Sequence, residues 1–596
     1  MLARLRATVF DGGLGAAALA PLVGALATLW LVVPTLAPGV ISMAAGDSAE
    51  FQTVAWVLGT AHPTGYPSYV VLGFVATHLL PFGDPAFRMN LLQALLAAGA
   101  IAGAVAVVQI LTGMRWVALA TGLLLLTMPG FSPVSVTFPS YSSIQTTPVF
   151  WRLSTYADPH MFHLALAALI FLLLLVWERR RTSHDPDVGR HADRWLVAAA
   201  CVYGVALANH SLTMMLAPGI ALFVVAVAPR IVLQWRLIVT CAAVLAGTAI
   251  LFWLELPIRA AMHAPLVYAH PDTWNGFLYV VTGQQFGGIP PTIGADLGAK
   301  YAEVMAMLAS WLGPLTYLAI IGIGTSVVRR PRYVLLSVLA ATMTASFAAA
   351  YVNSDLERYF LVPVFVAFTY VGLGVADVLA IGVSLWTDLL DSRARATAAA
   401  DREPKAAAPE AGPNPGAPGW APDERAARPT PLLLALEIGL AIVLIVTGAS
   451  VVGVRQVAAG GNTIGAVSQA GQNGRETWME AVLAPPDRGG LPADSVIVSN
   501  WYDSTTLWYG QKVEGLRPDI YIVDDTMRVP AGENLGNVWD VIDTYLGHRP
   551  VFLLRFPWNC DGLTNLARFY DLSDYPLPNN YSIKQVTGKI GPVSCS

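Results

Sequence analysis

Long apolar runs separated by short polar loops dominate the chain up to about residue 455. A helix needs about 20 apolar residues to cross roughly 30 Å of hydrocarbon. Runs of that length occur at residues 12–37, 89–112, 159–178, 237–256, 304–326, 332–351, 359–385 and 432–454. Shorter or more interrupted runs occur at residues 67–81, 115–130, 133–152, 195–211 and 213–228. The pattern therefore predicts an α-helical polytopic membrane protein with about 13 transmembrane helices.

Changes in polarity divide the chain into four predicted regions. Residues 1–390 are predicted to form a transmembrane module. Residues 391–430 are rich in Ala, Pro, Arg and Glu and have too little apolar surface to offset the entropy of ordering, so we predict a disordered cytoplasmic linker. A last transmembrane helix follows at 431–455, and residues 456–596 are predicted to form a small extracytoplasmic C-terminal α/β domain. Short apolar runs predict its buried strands at 495–499, 520–523 and 551–554.

The composition agrees with a membrane protein, because 55% of the residues are hydrophobic, 12% are charged and the mean hydropathy is +0.56. The formal net charge is -4 and no basic tract lies outside the short interhelical loops, so nucleic acid is not predicted as a partner. Of the four cysteines, Cys201 and Cys241 fall in predicted spans. Cys560 and Cys595 share the outer domain, where an oxidising compartment would allow a disulfide between them.

The arginines between the spans predict the orientation of the chain. Cytoplasmic loops of membrane proteins are enriched in Lys and Arg, and the loops near 179–194, 230–236 and 329–332 carry this excess. We therefore predict a multi-pass protein of the cell (inner) membrane with a cytoplasmic N-terminus. Counting spans from these loops places four other segments together on the extracytoplasmic face, at 38–66, 209–213, 257–303 and 352–358.

The outer face gathers acids, histidines and arginines that lie far apart in the sequence. Ionisable side chains are costly at a bilayer and are expected to have a function there. A carboxylate can take a proton from an acceptor hydroxyl, and arginines can hold the phosphate of a leaving group. Such a set suits a transferase that uses a lipid-phosphate donor. Its members are Asp47, Glu50, His62, Tyr66, Asp158, His163, Asn209, His210, Arg259, His263, His270, Asp355, Arg358 and Tyr359.

Two kinds of bound group are not predicted. The histidines of the long outer loop lack a tight ligand spacing such as His-x-x-x-His, so no metal site is expected. The sequence has no Walker-type or dinucleotide-type glycine loop, which argues against a cytosolic nucleotide-sugar donor. We therefore predict no cofactor.

The first outer loop resembles the signature of a family of multi-span protein O-mannosyltransferases. The family pattern runs Gly-Asp-Ser-Gly-Glu, Ala-His-Pro-Pro-Gly-Tyr-Pro, Pro-Phe-Gly and Arg-x-Asn-Leu, and it corresponds here to residues 46–50, 61–67, 81–83 and 88–91. Further similar stretches are Gly204–His210, Leu256–Arg259, Asp355 with Arg358–Phe360, and residues 507–523 of the C-terminal region.

This resemblance implies a GT-C type glycosyltransferase that takes its sugar from a polyprenyl phosphate on the non-cytoplasmic face. By that likeness Asp47 is the general base, and Glu50 raises its basicity or binds the acceptor. Arg259, Arg358 and His62 are predicted to bind the donor phosphate. The predicted reaction is inverting transfer of a hexose, mannose by resemblance, to an extracytoplasmic protein Ser or Thr, or to a glycan. Predicted substrate contacts are Tyr66, Asp158, Asn209, His210, His270, Asp355 and Tyr359.

Other interpretations of these residues stay open. Arginines at helix ends commonly reach to lipid headgroups, and acids can stabilise the N-terminus of a short interfacial helix. Ala49 replaces the family's second glycine, and residues 156–160 read Tyr-Ala-Asp-Pro-His where relatives carry Ala-Glu-Val-Tyr. The altered second loop allows a non-catalytic structural or assembly subunit of a membrane complex. A secondary transporter is also possible, although such proteins usually contain two related halves and no internal repeat is present.

Overall fold

The computed structural model describes residues 14–41, 47–128, 149–286, 297–350, 356–400, 431–458, 468–528 and 531–593. These residues are mostly helical, with one five-stranded sheet in the C-terminal region. The helices are α1 Leu14–Val32, α2 Ser48–Val57, α3 Pro67–Leu79, α4 Pro85–Thr112, α5 Arg115–Thr127, α6 Val149–Leu153, α7 Pro159–Arg181, α8 Pro186–Arg190, α9 Asp193–Asn209, α10 Ala217–Val227, α11 Trp235–Trp253, α12 Glu255–Ala261, α13 Trp274–Val281, α14 Leu297–Leu312, α15 Leu315–Arg329, α16 Pro331–Ala350, α17 Leu361–Ala400, α18 Pro431–Ala458, α19 Gly474–Val482, α20 Trp501–Lys512, α21 Val538–Tyr545 and α22 Leu563–Leu566.

The chain is a multi-pass membrane protein. Within the described residues, six helical segments are long and apolar enough to cross a bilayer, and a bent pair would make a seventh. Shorter apolar helices at Pro67–Leu79, Arg115–Thr127, Ser211–Val227 and Leu434–Ser450 fall where the sequence predicts further spans. The predicted helical membrane fold is confirmed, and the count of 13 spans stays a prediction.

Two boundaries differ from the sequence prediction. The run at 304–326 was expected to be one span, but it is broken after Leu312, and the two parts, Val304–Leu312 and Leu315–Arg329, are bent by 109°. Gly313 and Pro314 lie at the break, where a glycine at φ +56° and a proline interrupt the helical pattern. Residues 391–400 continue α17 rather than beginning the linker. Residues 133–148 of the predicted polar span and 401–430 of the linker lie outside the described residues.

Helix α15 packs closely against α17 through glycines. A Cβ atom on Gly322 would lie 2.0 Å from the carbonyl oxygen of Tyr370, and one on Gly374 would lie 2.0 Å from that of Leu318. Small residues let helix backbones approach closely within membranes. This contact fixes the bent α14–α15 pair against the helix that directly follows Arg358.

The acidic motif and the arginine-rich loops lie at opposite ends of the spans. Helix α7 begins after Asp158 and ends at Arg181, so its 23 residues extend roughly 34 Å at 1.5 Å per residue. Near its far end, Glu178 pairs with Arg332 at 3.1 Å. Asp158 therefore belongs to one surface of the module and the arginine-rich loops to the other, as the sequence predicts.

The C-terminal region forms an α/β domain whose sheet order is β2-β1-β3-β5-β4. The first three strands are parallel and match the predicted runs, whereas β4 and β5 form an antiparallel pair that the sequence analysis missed. Apolar side chains pack on both faces of the sheet, which explains the continuously hydrophobic strands. The strands are β1 Val496–Ser499, β2 Tyr521–Val523, β3 Val551–Leu554, β4 Tyr570–Pro576 and β5 Ser582–Lys589.

This domain shares an apolar cluster with the transmembrane module. Ala49 of α2 and Ala86 of α4 belong to the same buried cluster as Leu507 and Trp508 of α20. The hydroxyl of Tyr509 accepts a hydrogen bond from the backbone N–H of Ala86 at 3.2 Å. Helix α20 therefore docks the C-terminal domain directly on the acidic end of the spans. Cys560 is disulfide-bonded and Cys201 and Cys241 are free, while Cys595 lies outside the described residues.

Candidate active site

Asp47 lies at the N-cap position of α2 and receives hydrogen bonds from two distant parts of the chain. Nη1 of Arg358 lies 3.2 Å from its Oδ2, and the indole Nε1 of Trp501 lies 3.0 Å from its Oδ1. The Asp47 side chain is 18% exposed. A carboxylate that two donors hold in place and that solvent still reaches is suited to act on a bound molecule.

Arg358 links the first outer loop to the second. Its Nη1 also lies 3.2 Å from Oδ2 of Asp158, so one guanidinium contacts two carboxylates. Asp158 is the N-cap of α7, and its Oδ1 accepts hydrogen bonds from the backbone N–H and ring Nδ1 of His160, at 2.8 and 3.0 Å. Burial would raise the pKa of Asp158, but His160 and Arg358 lower it well below its usual value. The shorter acid of the altered second-loop motif is thus built into the site.

His62 connects Asp47 with Glu50. Glu50 accepts hydrogen bonds from both the backbone N–H and the ring Nδ1 of His62, at 2.7 and 2.5 Å, which fixes the imidazole. The opposite ring nitrogen, Nε2, lies 3.9 Å from Oδ2 of Asp47 and 3.3 Å from the hydroxyl of Tyr66. The two acids of the first motif therefore face one histidine from opposite sides.

The environments of the two acids shift their pKa values in opposite directions. Burial would raise the pKa of Asp47, but the charges of His62 and Arg358 and the indole hydrogen bond outweigh it and lower this pKa. For Glu50 burial prevails over the interactions with His62, and its pKa is raised. Burial would lower the pKa of His62, but the two carboxylates raise it. The ionised form of Asp47 is therefore favoured, while Glu50 and His62 each bind a proton more tightly than they would in water.

Buried amide side chains hold the two outer loops together. Oδ1 of Asn90 accepts hydrogen bonds from Nε2 of Gln52, at 3.0 Å, and from the backbone N–H of Ala157, at 3.1 Å. Nε2 of Gln93 donates to the carbonyl oxygen of Asp158 at 2.7 Å. Because these amides are buried, each hydrogen bond replaces contacts with water that folding removed. Asn90 of the Arg-x-Asn-Leu motif and the nearby Gln93 therefore connect α2 with the loop that carries Asp158.

Aromatic and histidine rings pack beside the acids of this group. His210 lies 5.4 Å from Tyr66, 4.9 Å from His160 and 5.9 Å from Tyr359, measured between ring centroids. Asn209 is buried and its Nδ2 donates to the carbonyl oxygen of Pro159 at 3.1 Å. The structure thus brings these predicted substrate contacts next to the acids, although their contact with a substrate stays a prediction.

Two predicted site residues, Arg259 and His270, are not part of this group. Nε and Nη2 of Arg259 donate to the carbonyl oxygens of Leu58 and Val57, at 2.6 and 3.1 Å. This arginine therefore supplies hydrogen-bond donors to carbonyl groups at the C-terminus of α2. His270 is exposed and lies 3.9 Å from Asp272. Asp355 lies outside the described residues. The predicted phosphate contact of Arg259 and substrate contact of His270 stay predictions, and the geometry gives Arg259 a structural partner instead.

The sequence analysis missed Trp501 and His160. Trp501 lies two residues after the end of strand β1, and residues at the carboxyl ends of parallel strands often face a ligand site. Applied to the predicted strand at 495–499, that rule would have pointed to Trp501. His160 lies two residues after Asp158, where a histidine at the start of a helix can bond the N-cap carboxylate.

Comparisons with known proteins agree with this architecture. Residues 47–231 match the family described as Protein O-mannosyl-transferase TMEM260 N-terminal domain. Protein O-mannosyl-transferase TMEM260 of Mus musculus is 43% identical over 72 residues, which are 12% of this chain and only 9% of the mouse protein. The structure of ArnT from Cupriavidus metallidurans bound to undecaprenyl phosphate has a TM-score of 0.50 at 15% identity and covers 96% of this chain and 99% of that one. The fold is thus that of a GT-C glycosyltransferase, and the family match begins at Asp47.

Proposed function

We propose that this GT-C type membrane protein, related through residues 47–231 to the O-mannosyl-transferases described by TMEM260, is a glycosyltransferase that mannosylates extracytoplasmic proteins. The donor is a polyprenyl-phosphate mannose and the acceptor is the hydroxyl of a Ser or Thr. The observation that carries this proposal is Asp47, an ionised and partly exposed carboxylate held between Arg358 and Trp501. In this proposal the described residues act without a metal ion.

The reaction is a single displacement at the anomeric carbon. Asp47 takes the proton of the acceptor hydroxyl as the acceptor oxygen forms its bond to C1 of the sugar. The bond between C1 and the phosphate oxygen breaks on the opposite side, and polyprenyl phosphate leaves with the bonding electrons. One displacement inverts the configuration at C1.

The fixed charges of the site suit this displacement. Negative charge moves from the acceptor side to the leaving phosphate, and the guanidinium of Arg358 stabilises charge at a position set by the carboxylates of Asp47 and Asp158. Glu50 and His62 keep their positions through two hydrogen bonds, so they can orient Asp47 without large movement. Asp47 is therefore the general base in this proposal, with Glu50 acting through His62.

The position of the two acids and the likeness of the fold to that of ArnT support a lipid-linked donor. Asp47 and Asp158 lie at the ends of apolar spans, where a membrane-embedded polyprenyl chain would present its phosphate. The structure of ArnT with undecaprenyl phosphate has the same fold, although identity at 15% shows the fold alone. The match to O-mannosyl-transferases over residues 47–231 supports mannose and a protein acceptor.

The proposal is tested by offering the purified full-length protein a panel of polyprenyl-phosphate sugars with Ser- and Thr-containing peptides. Mass spectrometry then identifies which donor is consumed and which peptide gains a hexose, and nuclear magnetic resonance gives the configuration of the new bond. We expect consumption of the mannose donor and inversion. Asp487→Asn, in a short surface turn of the C-terminal domain, is a matched control for Asp47→Asn. The absence of any donor turnover by the unaltered protein would contradict the proposal.

A further inference from the structure

A cleft of about 670 Å³ lies between the long outer loop and the C-terminal domain. One wall is formed by residues 263–272, and the other includes the end of α20 and residues 518–522 around β2. Glu50 and Thr60 of the first outer loop also line it. The volume falls in the range of roughly 300–1,000 Å³ that is typical of ligand sites.

The lining of this cleft suits a hydrophilic chain. It includes the charged side chains of Asp272, Lys512 and Glu533 and the aromatic rings of Tyr268 and Tyr521. A polyprenyl tail would leave these charged groups without water or a polar partner, which is costly. The cleft therefore suits the polar substrate rather than the lipid.

Its loop wall is attached to the first outer loop of the candidate site. The backbone N–H of Thr60 donates to the carbonyl oxygen of Leu266 at 3.0 Å, and the hydroxyl of Thr60 accepts from the backbone N–H of Tyr268 at 2.6 Å. Two residues further on, His62 contacts Glu50 and lies 3.9 Å from Asp47. The cleft therefore reaches Glu50, which contacts Asp47's neighbour His62.

The opposite wall includes a strand at the edge of the sheet. β2 is paired only with β1 in the described sheet, in parallel register with Ile497 opposite Ile522. Edge strands bind extended polypeptides by main-chain hydrogen bonding, with pockets for alternate side chains. A glycan has no regular succession of amide groups to use such an edge. The geometry of the cleft thus favours a polypeptide.

We propose that this cleft binds the acceptor as an extended polypeptide segment lying along β2, with its Ser or Thr directed to the Glu50 end. The C-terminal domain then selects the acceptor, while the transmembrane module binds the donor. The role of the cleft as an acceptor site rests on the proposed glycosyl transfer. Peptide binding in the cleft is measurable without turnover.

Site-specific photocrosslinking tests the position of the acceptor. Tyr521 in the full-length protein is replaced by p-benzoylphenylalanine, and Tyr575 on β4, at the other edge of the sheet, is replaced in a matched control. The probes are a degenerate library of short biotinylated peptides with one central threonine and, separately, a biotinylated oligomannose. We expect the peptides to crosslink at position 521 well above position 575, and the oligomannose to crosslink at neither.

A kinetic comparison gives an independent readout. Lys512→Ala in the cleft is expected to raise the KM for peptide about tenfold, or about 1.4 kcal/mol, with the KM for donor and the slow hydrolysis of donor by water unchanged. Lys584→Ala, on strand β5 and paired with Asp574, should change none of these values. Glycosylated peptide without a crosslink above the control at position 521, capture of oligomannose there, or an unchanged peptide KM would each overturn the cleft assignment. A protein that binds peptide at position 521 but never consumes donor would instead overturn the proposed function.

Discussion

Each end of the transmembrane module contains a group of buried ion pairs, and the ratio of arginines to carboxylates differs between the two ends. At the end away from the candidate site, Asp377 accepts hydrogen bonds from two arginines, at 3.0 and 2.8 Å. It lies on α17, roughly 24 Å from the first residue of that helix at 1.5 Å per residue. At the site itself, one arginine, Arg358, lies 3.2 Å from both Asp47 and Asp158. Two arginines contact the single carboxylate of Asp377, whereas the single guanidinium of Arg358 contacts two carboxylates.

This is the difference we expect between a structural ion pair and a catalytic one. A buried carboxylate bonded by two guanidinium groups has its charge fully compensated, so it holds helix ends together and has little tendency to take up a proton. Asp47 and Asp158 share one guanidinium, so Arg358 alone does not neutralise both, and the Asp47 side chain stays 18% exposed, where an acceptor hydroxyl can reach it. The arrangement around Asp47 is therefore the one suited to chemistry, although both groups contain the same residue types.

Asp47→Asn is expected to have the largest effect on activity. The amide has the shape of the carboxylate but cannot take a proton, and loss of a general base typically lowers rates by about 10²–10⁴-fold. Stability should change by no more than about 1 kcal/mol, because Arg358 keeps Asp158 as its partner. Donor consumption followed by mass spectrometry and thermal unfolding in detergent measure the two effects. Full turnover by this variant would remove Asp47 from the role of base.

Asp377→Asn is the matched control at the other end. It leaves two arginines without their carboxylate, and breaking a buried pair costs about 3–5 kcal/mol. We expect a clear loss of thermal stability but unchanged turnover per folded molecule. If Asp377→Asn instead lost turnover and Asp47→Asn lost only stability, the ratio of arginines to carboxylates would not distinguish the two ends.

Arg358→Ala is expected to have the next largest effect, on donor binding. Loss of a charge-assisted hydrogen bond costs about 1.5–3 kcal/mol, so the KM for donor should rise roughly 10- to 100-fold. The change also leaves two buried acids together, so stability should fall. Adding Asp158→Asn removes one of these acids and should restore stability without restoring donor affinity. Recovery of both properties together would mean that Arg358 serves only to balance charge.

The sequence predicted the spans well because hydrophobic length is a local property. Runs such as 89–112 and 159–178 became α4 and α7 with nearly the same bounds. The break after Leu312 was missed although Gly313 and Pro314 mark it in the sequence, because the apolar run around them is long enough to be interpreted as one span. Strands β4 and β5 were missed because they are half-exposed, and their alternation is weaker than the continuous apolar run of β1.

The candidate site was only partly predictable, because partners far apart in sequence decide what each polar residue does. Asp47 and Arg358 were identified from motif and topology, and the structure brings them into contact. Arg259 lies on the same predicted face and has the same chemistry, yet it bonds to backbone carbonyls instead. Its role depends on the end of α2, which no local pattern reveals. Trp501 was missed because the docking of a separate domain places it.

Trp501→Phe is expected to have a smaller effect that appears in the pH dependence. The indole N–H stabilises ionised Asp47 and lowers its pKa, so phenylalanine should raise that pKa. Because ionised Asp47 is the active form, the midpoint of the acidic limb of kcat/KM should move to higher pH. Trp478→Phe, whose ring is covered by Arg475 at 3.9 Å, is the matched control and should not move it. An unchanged midpoint in Trp501→Phe would limit Trp501 to packing.

Arg259→Ala is expected to have the smallest effect on activity and tests whether every arginine on this face belongs to the reactive group. Its hydrogen bonds to Val57 and Leu58 satisfy the end of α2, so their loss should lower stability by about 1 kcal/mol. The KM for donor should stay within about twofold of the unaltered value, which corresponds to less than 0.5 kcal/mol. Thermal unfolding and donor titration measure both quantities. A rise in donor KM comparable to that of Arg358→Ala would mean that Arg259 leaves the helix end to bind phosphate, and the reactive group would then contain two arginines rather than one.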